Sequence, residues 1–372
     1  MKLVMLAPYS IRNYYYKKWD NFYCCYQNPY QNLGHIWPSF GGINSWLNFD
    51  VLVVPYDWIK FKPEYGEFSL DEHLDYAKQS KMFVIIDKTS EHVHDEDDFY
   101  DLYTNLKKHE LLSRCVVFDN TQNEYMFQKY NVPHVYFPGY VWFYLHGKRI
   151  PVYKPSPLNQ FLCLNNFHKP HRLATIITLD QKKLLPRTAW SYRQNINDEG
   201  IDVKKILPNF EKNMIKVSIP KHLDQDDKVF DQNANLNNLY SNALSTLVTE
   251  TDFLFDKTTS CSEKIYNAIF FGTVPIFIGT PNSLNVLREH GLDIYDDIID
   301  HSYDHYLDPI ERFAKISDVI EHVSTLRQYQ QIRSNLAVRI LRNQLLINEK
   351  SHWIKESDFH ANNFFANNKI SI

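Results

Sequence analysis

The stretch that decides the fold is residues 259–280, which read TSCSEKIYNAIFFGTVPIFIGT. The apolar run 243–248 that precedes it predicts a buried strand leading into a polar loop. Ser262 suits the N-cap of a helix, Gly272 suits its end, and the apolar run 274–278 predicts a second strand. Strand, helix and strand in this order predict a βαβ unit, whose polar residues lie where open α/β sheets bind their ligands.

The size and composition of the chain favour a globular protein with a large core. It has 372 residues, of which 44% are hydrophobic. That is enough for two or three domains, and it excludes a chain that is disordered throughout. The formal net charge of −4 gives no support for a protein that coats nucleic acid through a basic surface, although a local basic patch stays open.

Cysteine usage and the apolar runs bear on where the protein works. The five cysteines show no CxxC spacing, and Cys24 and Cys25 are adjacent and poorly placed to pair with each other. We therefore expect reduced thiols and a cytoplasmic location, which for a viral protein is the host cytoplasm. The apolar run at the start of the chain is too short for a signal peptide and predicts a first strand, and no run approaches the ~18 apolar residues of a membrane span.

The first 150 residues predict one domain built on a doubly wound parallel sheet. Short apolar strands alternate with helices there, as is typical of such sheets. The predicted strands are 2–7, 50–54, 82–86, 115–118 and 134–137. The aromatic-rich stretch 14–45 predicts a long connection, and the proline-containing stretch 141–157 predicts an interdomain linker.

The strand and helix pattern restarts after the linker and predicts a second domain over residues 158–345. Its first strand and helix are predicted at 160–164 and 173–184, and a strand follows at 189–192. The acidic, polar stretch 221–238 predicts a loop, and the residues after the βαβ unit are largely helical. We expect the tail, residues 346–372, to pack back on the N-terminal domain.

The triplet Ser262-Glu263-Lys264 carries the most specific chemical signal. A capped helix start explains Ser262 and Glu263 without any ligand. The same helix start also suits phosphate, because its free N–H groups and dipole attract anions and Lys264 adds a full positive charge. Glu263 could accept hydrogen bonds from the vicinal hydroxyls of a sugar. The triplet is therefore a candidate site for a nucleotide.

The stretch SEKIYNAIFFGTVPIFIG resembles the signature of the α-1,3-fucosyltransferase family and its viral and phage relatives, with Ser262 where that family usually has Thr. The resemblance covers about residues 160–312 and is strongest over 241–304. It implies an α/β fold of the GT-B type, with two Rossmann-like domains facing across a cleft. It also implies a GDP- or UDP-sugar donor held by the C-terminal domain, and inverting, metal-independent transfer of a sugar such as fucose to a glycan hydroxyl.

Further donor-binding candidates surround the triplet. Arg172 follows the strand at 160–164, and by the resemblance its planar guanidinium would neutralise the donor diphosphate; a solvated arginine at a helix start is the alternative. Asn165 and Lys169 lie in the same loop and could assist. Glu250 ends a strand and could bind the sugar or ribose, and Asn267 lies inside the helix and could face the nucleotide.

The sequence does not predict a metal site or a cofactor. DxD spacings occur at 224–226 and 95–97, but both lie in acidic, polar runs that are typical of solvated loops. No HExxH pattern occurs. By the resemblance, Lys264 and Arg172 would take the place of a divalent cation.

The catalytic base is the least determined part of the prediction. An inverting transfer needs a group that takes the proton of the acceptor hydroxyl. Asp57, Asp87 and Asp119 each come directly after a predicted strand of the first domain, and we expect the base among them. Asp57 is the first choice because Tyr56 and Trp58 flank it and aromatic rings commonly stack on sugars.

The leading hypothesis is thus a glycosyltransferase that acts on a glycan. One alternative is a glycosyltransferase that modifies the bases of viral DNA, which would need basic residues around its site. The other is a non-catalytic protein that binds a nucleotide sugar or a glycan. The donor, the acceptor and the oligomeric state stay open.

Overall fold

The computed structural model of the chain falls into two compact units, Met1–His146 with Lys350–Ile372, and Gly147–Glu349. It describes residues 3–5, 22–24, 51–56, 70–80, 83–88, 96–119, 125–136, 157–166, 168–192, 202–211, 214–219, 221, 234–255, 259, 261–326, 329–349, 352 and 363. Among these described residues, no helix is both long and apolar enough to cross a membrane.

The first unit is built on a six-stranded parallel sheet with the order β2-β1-β3-β4-β5-β6. The strands are β1 (Leu3–Met5), β2 (Phe22–Cys24), β3 (Val51–Pro55), β4 (Phe83–Lys88), β5 (Cys115–Asp119) and β6 (His134–Tyr136). Its helices are α1 (Leu70–Ser80), α2 (Glu96–Lys108) and α3 (Tyr125–Lys129). The central strands β4 and β5 are buried along nearly their whole length. Helices cover both faces of a parallel sheet, which is why such strands appear in the sequence as mostly apolar runs.

Two features of this sheet differ from the sequence prediction. Strand β2 lies in the stretch predicted as a long connection, and pairs with β1 at the edge of the sheet. A three-residue edge strand is too short to show a periodic pattern. Strand β4 also runs on to Lys88, so Asp87 lies within the strand rather than after it.

The second unit is built on a four-stranded parallel sheet with the order β10-β9-β7-β8. The strands are β7 (Asn159–Asn165), β8 (Thr188–Tyr192), β9 (Ala243–Thr249) and β10 (Val274–Ile278). Its helices are α4 (Pro170–Gln181), α5 (Ala234–Ser241), α6 (Glu263–Phe270), α7 (Ser283–Glu289), α8 (Pro309–Thr325), α9 (Tyr329–Asn335) and α10 (Ala337–Asn348). The predicted βαβ unit is thus present as β9, α6 and β10.

Helix α4 begins earlier than the sequence prediction placed it. Pro170 is its first residue, which suits proline because the first N–H of a helix has no partner within it. Arg172 therefore lies in the first turn of the helix. Residues 171–179 are all buried, so α4 is enclosed within the unit. The helix start is consequently fixed beside the carboxyl end of β7.

Parallel pairing brings the ends of β7, β9 and β10 to one edge of the second sheet. Ile278 is the register partner of Thr249, and the Glu250 amide donates to the Ile278 carbonyl at 2.9 Å. Helices α4 and α6 both start at this edge, because each follows directly from a loop after one of these strands. The edge therefore combines two helix N-termini with the polar residues that follow the strands.

Gly272 fixes the position of α6 against the rest of the unit. Its φ of +76° is left-handed, and the Thr273 amide closes the helix end on the Ala268 carbonyl at 3.0 Å. A Cβ at Gly272 would lie 2.7 Å from Cγ2 of Ile340 on α10. Ile340 is buried and β-branched, so its methyl group has little freedom to move away.

We expect Gly272→Ala to destabilise the protein more than Gly291→Ala does. Both glycines have left-handed φ values, so each substitution costs about 1–2 kcal/mol for the backbone. Only Gly272 adds a clash, worth about 1–3 kcal/mol, because a Cβ at Gly291 would meet nothing closer than 3.7 Å. Urea denaturation of both variants measures the difference. Equal losses would show that α10 gives way at no cost.

Candidate functional site

The side chain of Glu250 organises the start of α6. Glu250 follows β9 and is only 2% exposed. Its Oε1 accepts a hydrogen bond from the Ser262 amide at 3.1 Å, and its Oε2 accepts one from the Ser262 hydroxyl. The Lys264 ammonium lies 3.5 Å from the same Oε2. The buried carboxylate is thus bonded to three groups at the helix start, which fixes Ser262 and Lys264 in place.

The backbone carbonyl of Glu250 organises the start of α4 in the same way. His171 Nε2 donates to it at 2.8 Å and Arg172 Nη2 donates to it at 3.0 Å. The same Nη2 lies 3.4 Å from the Thr249 carbonyl. Arg172 is 4% exposed, and burial lowers its pKa while the nearby Glu250 carboxylate raises it. The end of β9 therefore carries bonds to both helices.

Lys264 is the cation on the α6 side of the site. Its Nζ lies 3.0 Å from the Ser262 hydroxyl, 3.5 Å from the Thr251 hydroxyl and 3.6 Å from Glu263 Oε1. Burial lowers the pKa of Lys264, but the carboxylates of Glu263 and Glu250 more than offset this, so the pKa lies above its ordinary value. Lys264 is therefore charged at neutral pH.

Lys169 is the cation on the α4 side. Its Nζ lies 3.7 Å from Asp252 Oδ1. Its pKa is lowered, chiefly by burial, with Asp252 opposing this and the charges of Arg172 and Lys264 adding to it. Lys169 therefore feels both of the other cations, and Lys264 likewise feels Arg172. The three cations lie close enough to influence one another.

The charges at this site lie in two layers. The Glu250 and Asp252 side chains are 3% and 6% exposed, whereas those of Lys264 and Lys169 are 30% and 34% exposed. The buried carboxylates thus lie behind the ammonium groups, which face solvent together with the Glu263 carboxylate, whose side chain is 42% exposed. An anion that approaches this surface can contact the two ammonium groups directly.

The two helix starts differ in whether a side chain caps their backbone N–H groups. At α6 the Ser262 hydroxyl accepts from the Lys264 amide at 3.3 Å, so the helix has a side-chain cap. At α4 the N-cap residue is Lys169, whose side chain makes no capping hydrogen bond within the described part of the chain. The start of a helix carries partial positive charge and attracts anions. Within the described residues, the α4 start thus lacks the side-chain cap that the α6 start has.

The structure gives several sequence candidates a role inside the protein. Ser262 is 1% exposed and is bonded to Glu250. Asn165 is 2% exposed, and its Oδ1 accepts from the Thr249 hydroxyl at 2.7 Å. Asn267 is 7% exposed and lies one turn after Glu263. Glu263, with a side chain 42% exposed, is the carboxylate of this site that is open to solvent.

An aromatic and cationic stack behind the site was not foreseen from the sequence. The His171 ring stacks on Phe253 with centroids 5.4 Å apart, and the Arg312 guanidinium lies 4.4 Å from the centre of the same ring. Arg312 also donates to the Phe253 carbonyl and to the carbonyls of Tyr306 and Leu307. The adjacent pair His171-Arg172 was the available signal, but nothing local pointed to Arg312, which follows Phe253 by 59 residues.

The three candidate bases all belong to the first unit. Asp57 lies outside the described residues. Asp87 is 5% exposed within β4, and Asp119, at the end of β5, is fully buried. Asp119 is the register partner of Lys88, whose ammonium lies 5.4 Å from the centre of the Tyr56 ring. Both described aspartates are thus enclosed in the unit.

The structure shows no preformed metal centre in the residues that it describes: they contain no group of three or more His, Cys, Asp or Glu side chains that could hold an ion. The acidic spacing at 224–226 lies outside the described residues, as does Asp95 of the second spacing.

His171 gives the site a pH dependence that can be measured. A carbonyl only accepts hydrogen bonds, so Nε2 carries the proton, and burial lowers the pKa of the ring to about 3. Charging the ring requires a second proton, at Nδ1. The unfolded chain takes up this second proton below about pH 6.5, whereas the folded chain does so only near pH 3. Stability is therefore lost as the pH falls through this window, by up to about 1.4 kcal/mol per pH unit.

We expect His171→Gln to lose this part of the pH dependence. The Gln amide still donates to the Glu250 carbonyl but does not titrate. Urea denaturation of both proteins at pH 7 and pH 5 compares the slopes. Asp304, whose pKa burial raises to about 6, has the opposite effect on the slope and is common to both proteins. Parallel slopes would show that His171 is protonated in the folded chain.

Comparison with known proteins bears on the fold. No protein family and no curated protein sequence matches the chain. One similar solved structure is described as the DNA modifying enzyme beta-glucosyltransferase in the presence and absence of uridine diphosphoglucose; it has a TM-score of 0.50 and 11% identity over 97% of this chain and 99% of that chain. Another, T4 phage BGT in complex with UDP and Mn²⁺, has a TM-score of 0.48 and 12% identity over 97% and 99%.

At this low identity the likeness to the beta-glucosyltransferase shows the fold alone. The chain has the α/β fold with parallel sheets that GT-B glycosyltransferases have, and the fold class expected from the sequence is confirmed. The beta-glucosyltransferase structure is not described as a fucosyltransferase, so that part of the resemblance stays a hypothesis.

Proposed function

We propose that the protein is a glycosyltransferase that holds the diphosphate of a nucleoside-diphosphate sugar at Lys169, Arg172 and Lys264. The observation that carries this proposal is that the starts of α4 and α6 bring three cations together around Glu250. Arg172 donates to its carbonyl at 3.0 Å, Lys264 lies 3.5 Å from its carboxylate, and Lys169, whose pKa burial lowers, is close enough to both for their charges to lower it further. A diphosphate carries two or more negative charges and accepts hydrogen bonds from several sides, which suits such a cluster better than it suits a neutral ligand. The GT-B fold supports the same reading.

The cluster would act on the leaving group. When the sugar is transferred, negative charge develops on the departing diphosphate, and fixed cations lower the energy of that state. Lys264 and Lys169 are already paired with Glu250 and Asp252, at 3.5 and 3.7 Å. Glu263 is exposed beside them and would accept hydrogen bonds from sugar hydroxyls. Ser262, Asn165 and Asn267 would support the site from within rather than contact the donor.

The acceptor that we propose is a hydroxyl group of a glycan, with Asp57, Asp87 and Asp119 as candidate bases. A base of viral DNA is the second candidate acceptor, because one structure of the same fold is described as a DNA modifying enzyme. The net charge of −4 does not favour DNA. A protein that binds the donor without transferring the sugar would use the same cation cluster. Fucose as the transferred sugar, and inversion, rest on the sequence resemblance.

We expect Lys264→Ala and Lys169→Ala each to weaken binding of UDP or GDP about 10- to 100-fold, because each removes a charge-assisted contact. A thermal-shift titration with both nucleotides measures this. Lys315→Ala, which removes an exposed lysine of α8, is the matched control and should leave binding unchanged. Equal binding by all three variants would place the nucleotide elsewhere. Arg172 is less suited to this test because it also holds β9.

We expect nucleotide binding and sugar transfer to persist in EDTA, because three cations already stand at the proposed diphosphate site. The measurement is the UDP and GDP thermal shift, together with hydrolysis of UDP- and GDP-sugars, with EDTA and with added Mn²⁺. Loss of the thermal shift in EDTA and its return with Mn²⁺ would show that the diphosphate brings a metal with it. The metal-free mechanism would then be wrong.

A further inference from the structure

Three tyrosines form a ring cluster on the first unit, and a fourth, Tyr125, lies close enough to Lys129 to add to the rise in pKa that Glu96 causes there. Tyr100 and Tyr103 lie on α2, Tyr125 begins α3 and Tyr130 directly follows it. The Tyr100 ring centroid is 6.3 Å from those of Tyr103 and Tyr130, which are themselves 5.0 Å apart. Lys129, one turn after Tyr125, lies 5.2 Å from the centre of the Tyr130 ring. We call this surface the tyrosine face.

The tyrosine face is exposed but rigidly supported. Tyr100 is 55% exposed and Tyr125 is 42% exposed. Tyr130 is half-buried and packs against the buried Phe99, with ring centroids 5.2 Å apart. Adjacent exposed aromatic rings leave apolar area in water, and such patches mark binding surfaces. Because the partly buried rings anchor the face to the core, a ligand would meet it already formed.

The charges around the tyrosine face argue against a nucleic acid. Helices α2 and α3 together carry four carboxylates and three lysines. Lys129 is paired with Glu96, which also accepts from the Tyr130 hydroxyl at 3.2 Å. Lys108 is paired with Asp71 at 2.9 Å. Surfaces that stack nucleic-acid bases combine aromatic rings with excess positive charge along the backbone. Lys107 also lies 5.7 Å from the centre of the Tyr103 ring, but the lysines of the described helices α2 and α3 do not outnumber their carboxylates.

We propose that the tyrosine face binds a neutral glycan chain. Sugar rings have apolar C–H faces that pack on aromatic rings, and hydroxyl rims that hydrogen-bond to tyrosine hydroxyls and carboxylates. A chain of uncharged sugars therefore matches both the rings and the near-balanced charge of the surface. The inference goes beyond the proposed transfer reaction and does not depend on it, since a glycan would bind here whether or not the chain transfers a sugar.

Affinity electrophoresis of the full chain in native gels that contain glycogen, galactomannan or hydroxyethylcellulose tests this surface. We expect at least one polysaccharide to retard the protein. Tyr100→Ala and Tyr125→Ala should each reduce the affinity about 2- to 10-fold, since an aromatic contact is worth ~0.5–1.5 kcal/mol. The matched control is Tyr306→Ala, which removes a tyrosine that is 36% exposed in the second unit and should not change the retardation.

Three outcomes would overturn the proposal. They are no retardation in any of the three gels, equal retardation of all variants, and binding of a 20-nucleotide single-stranded oligodeoxynucleotide that is lost with Tyr100→Ala and Tyr125→Ala. The UDP and GDP thermal shift, measured on the same variants, separates this surface from the donor site. A variant with a normal thermal shift but lost retardation supports glycan binding at the tyrosine face. If the unmodified chain is retarded but shows no thermal shift with UDP or GDP, only the donor-site proposal is wrong.

Discussion

The buried carboxylate of Glu250 is the constraint on which the proposed site depends. A buried charge costs several kcal/mol unless other groups satisfy it. Here Ser262 and Lys264 do so, and they can reach the carboxylate only when α6 starts where it does. The carbonyl of the same residue accepts hydrogen bonds from His171 and Arg172, so α4 must also start beside the end of β9. One residue thus couples two helix starts to the end of one strand.

This coupling has a consequence for ligand binding. Flexible lysines lose conformational freedom when a ligand orders them, and that loss weakens binding. In the proposed site part of this cost is met on folding, because Lys264 and Lys169 are paired with the buried carboxylates of Glu250 and Asp252. The cations are then ready for a diphosphate before it arrives, which is the arrangement that stabilises a leaving group best.

The sequence predicted those parts of the site that depend on neighbours along the chain. The βαβ unit, the cap at Ser262 and the position of Lys264 at the helix start are local features, and the structure has all three. The bonds that hold the site are not local, since Arg172 and the Glu250 carbonyl are 78 residues apart. Nothing in the sequence around Arg172 indicates that it contacts Glu250, and nothing around Glu250 indicates that it contacts Arg172. Glu250 therefore looked like a ligand-binding residue from the sequence, although its carboxylate is bonded within the protein.

The first unit shows the same limit of local reasoning. Five of its six strands were predictable because parallel strands buried on both faces are continuous apolar runs, whereas the three-residue edge strand β2 was not predicted. The tyrosine face brings together residues of α2 with Tyr130, which directly follows α3. The chain has 25 tyrosines, and the sequence does not indicate which of them cluster.

The two half-buried lysines of the proposed donor site differ in how firmly they hold their protons. Burial and the neighbouring cations lower the pKa of Lys169, whereas the carboxylates raise that of Lys264. Lys169 is therefore the first of the two to lose its charge as the pH rises. Because Lys169 stands at the uncapped start of α4, the helix dipole and the buried Arg172 would remain there for the anion. The lysine charge that persists belongs to Lys264, whose ammonium lies 3.5 Å from the Glu250 carboxylate.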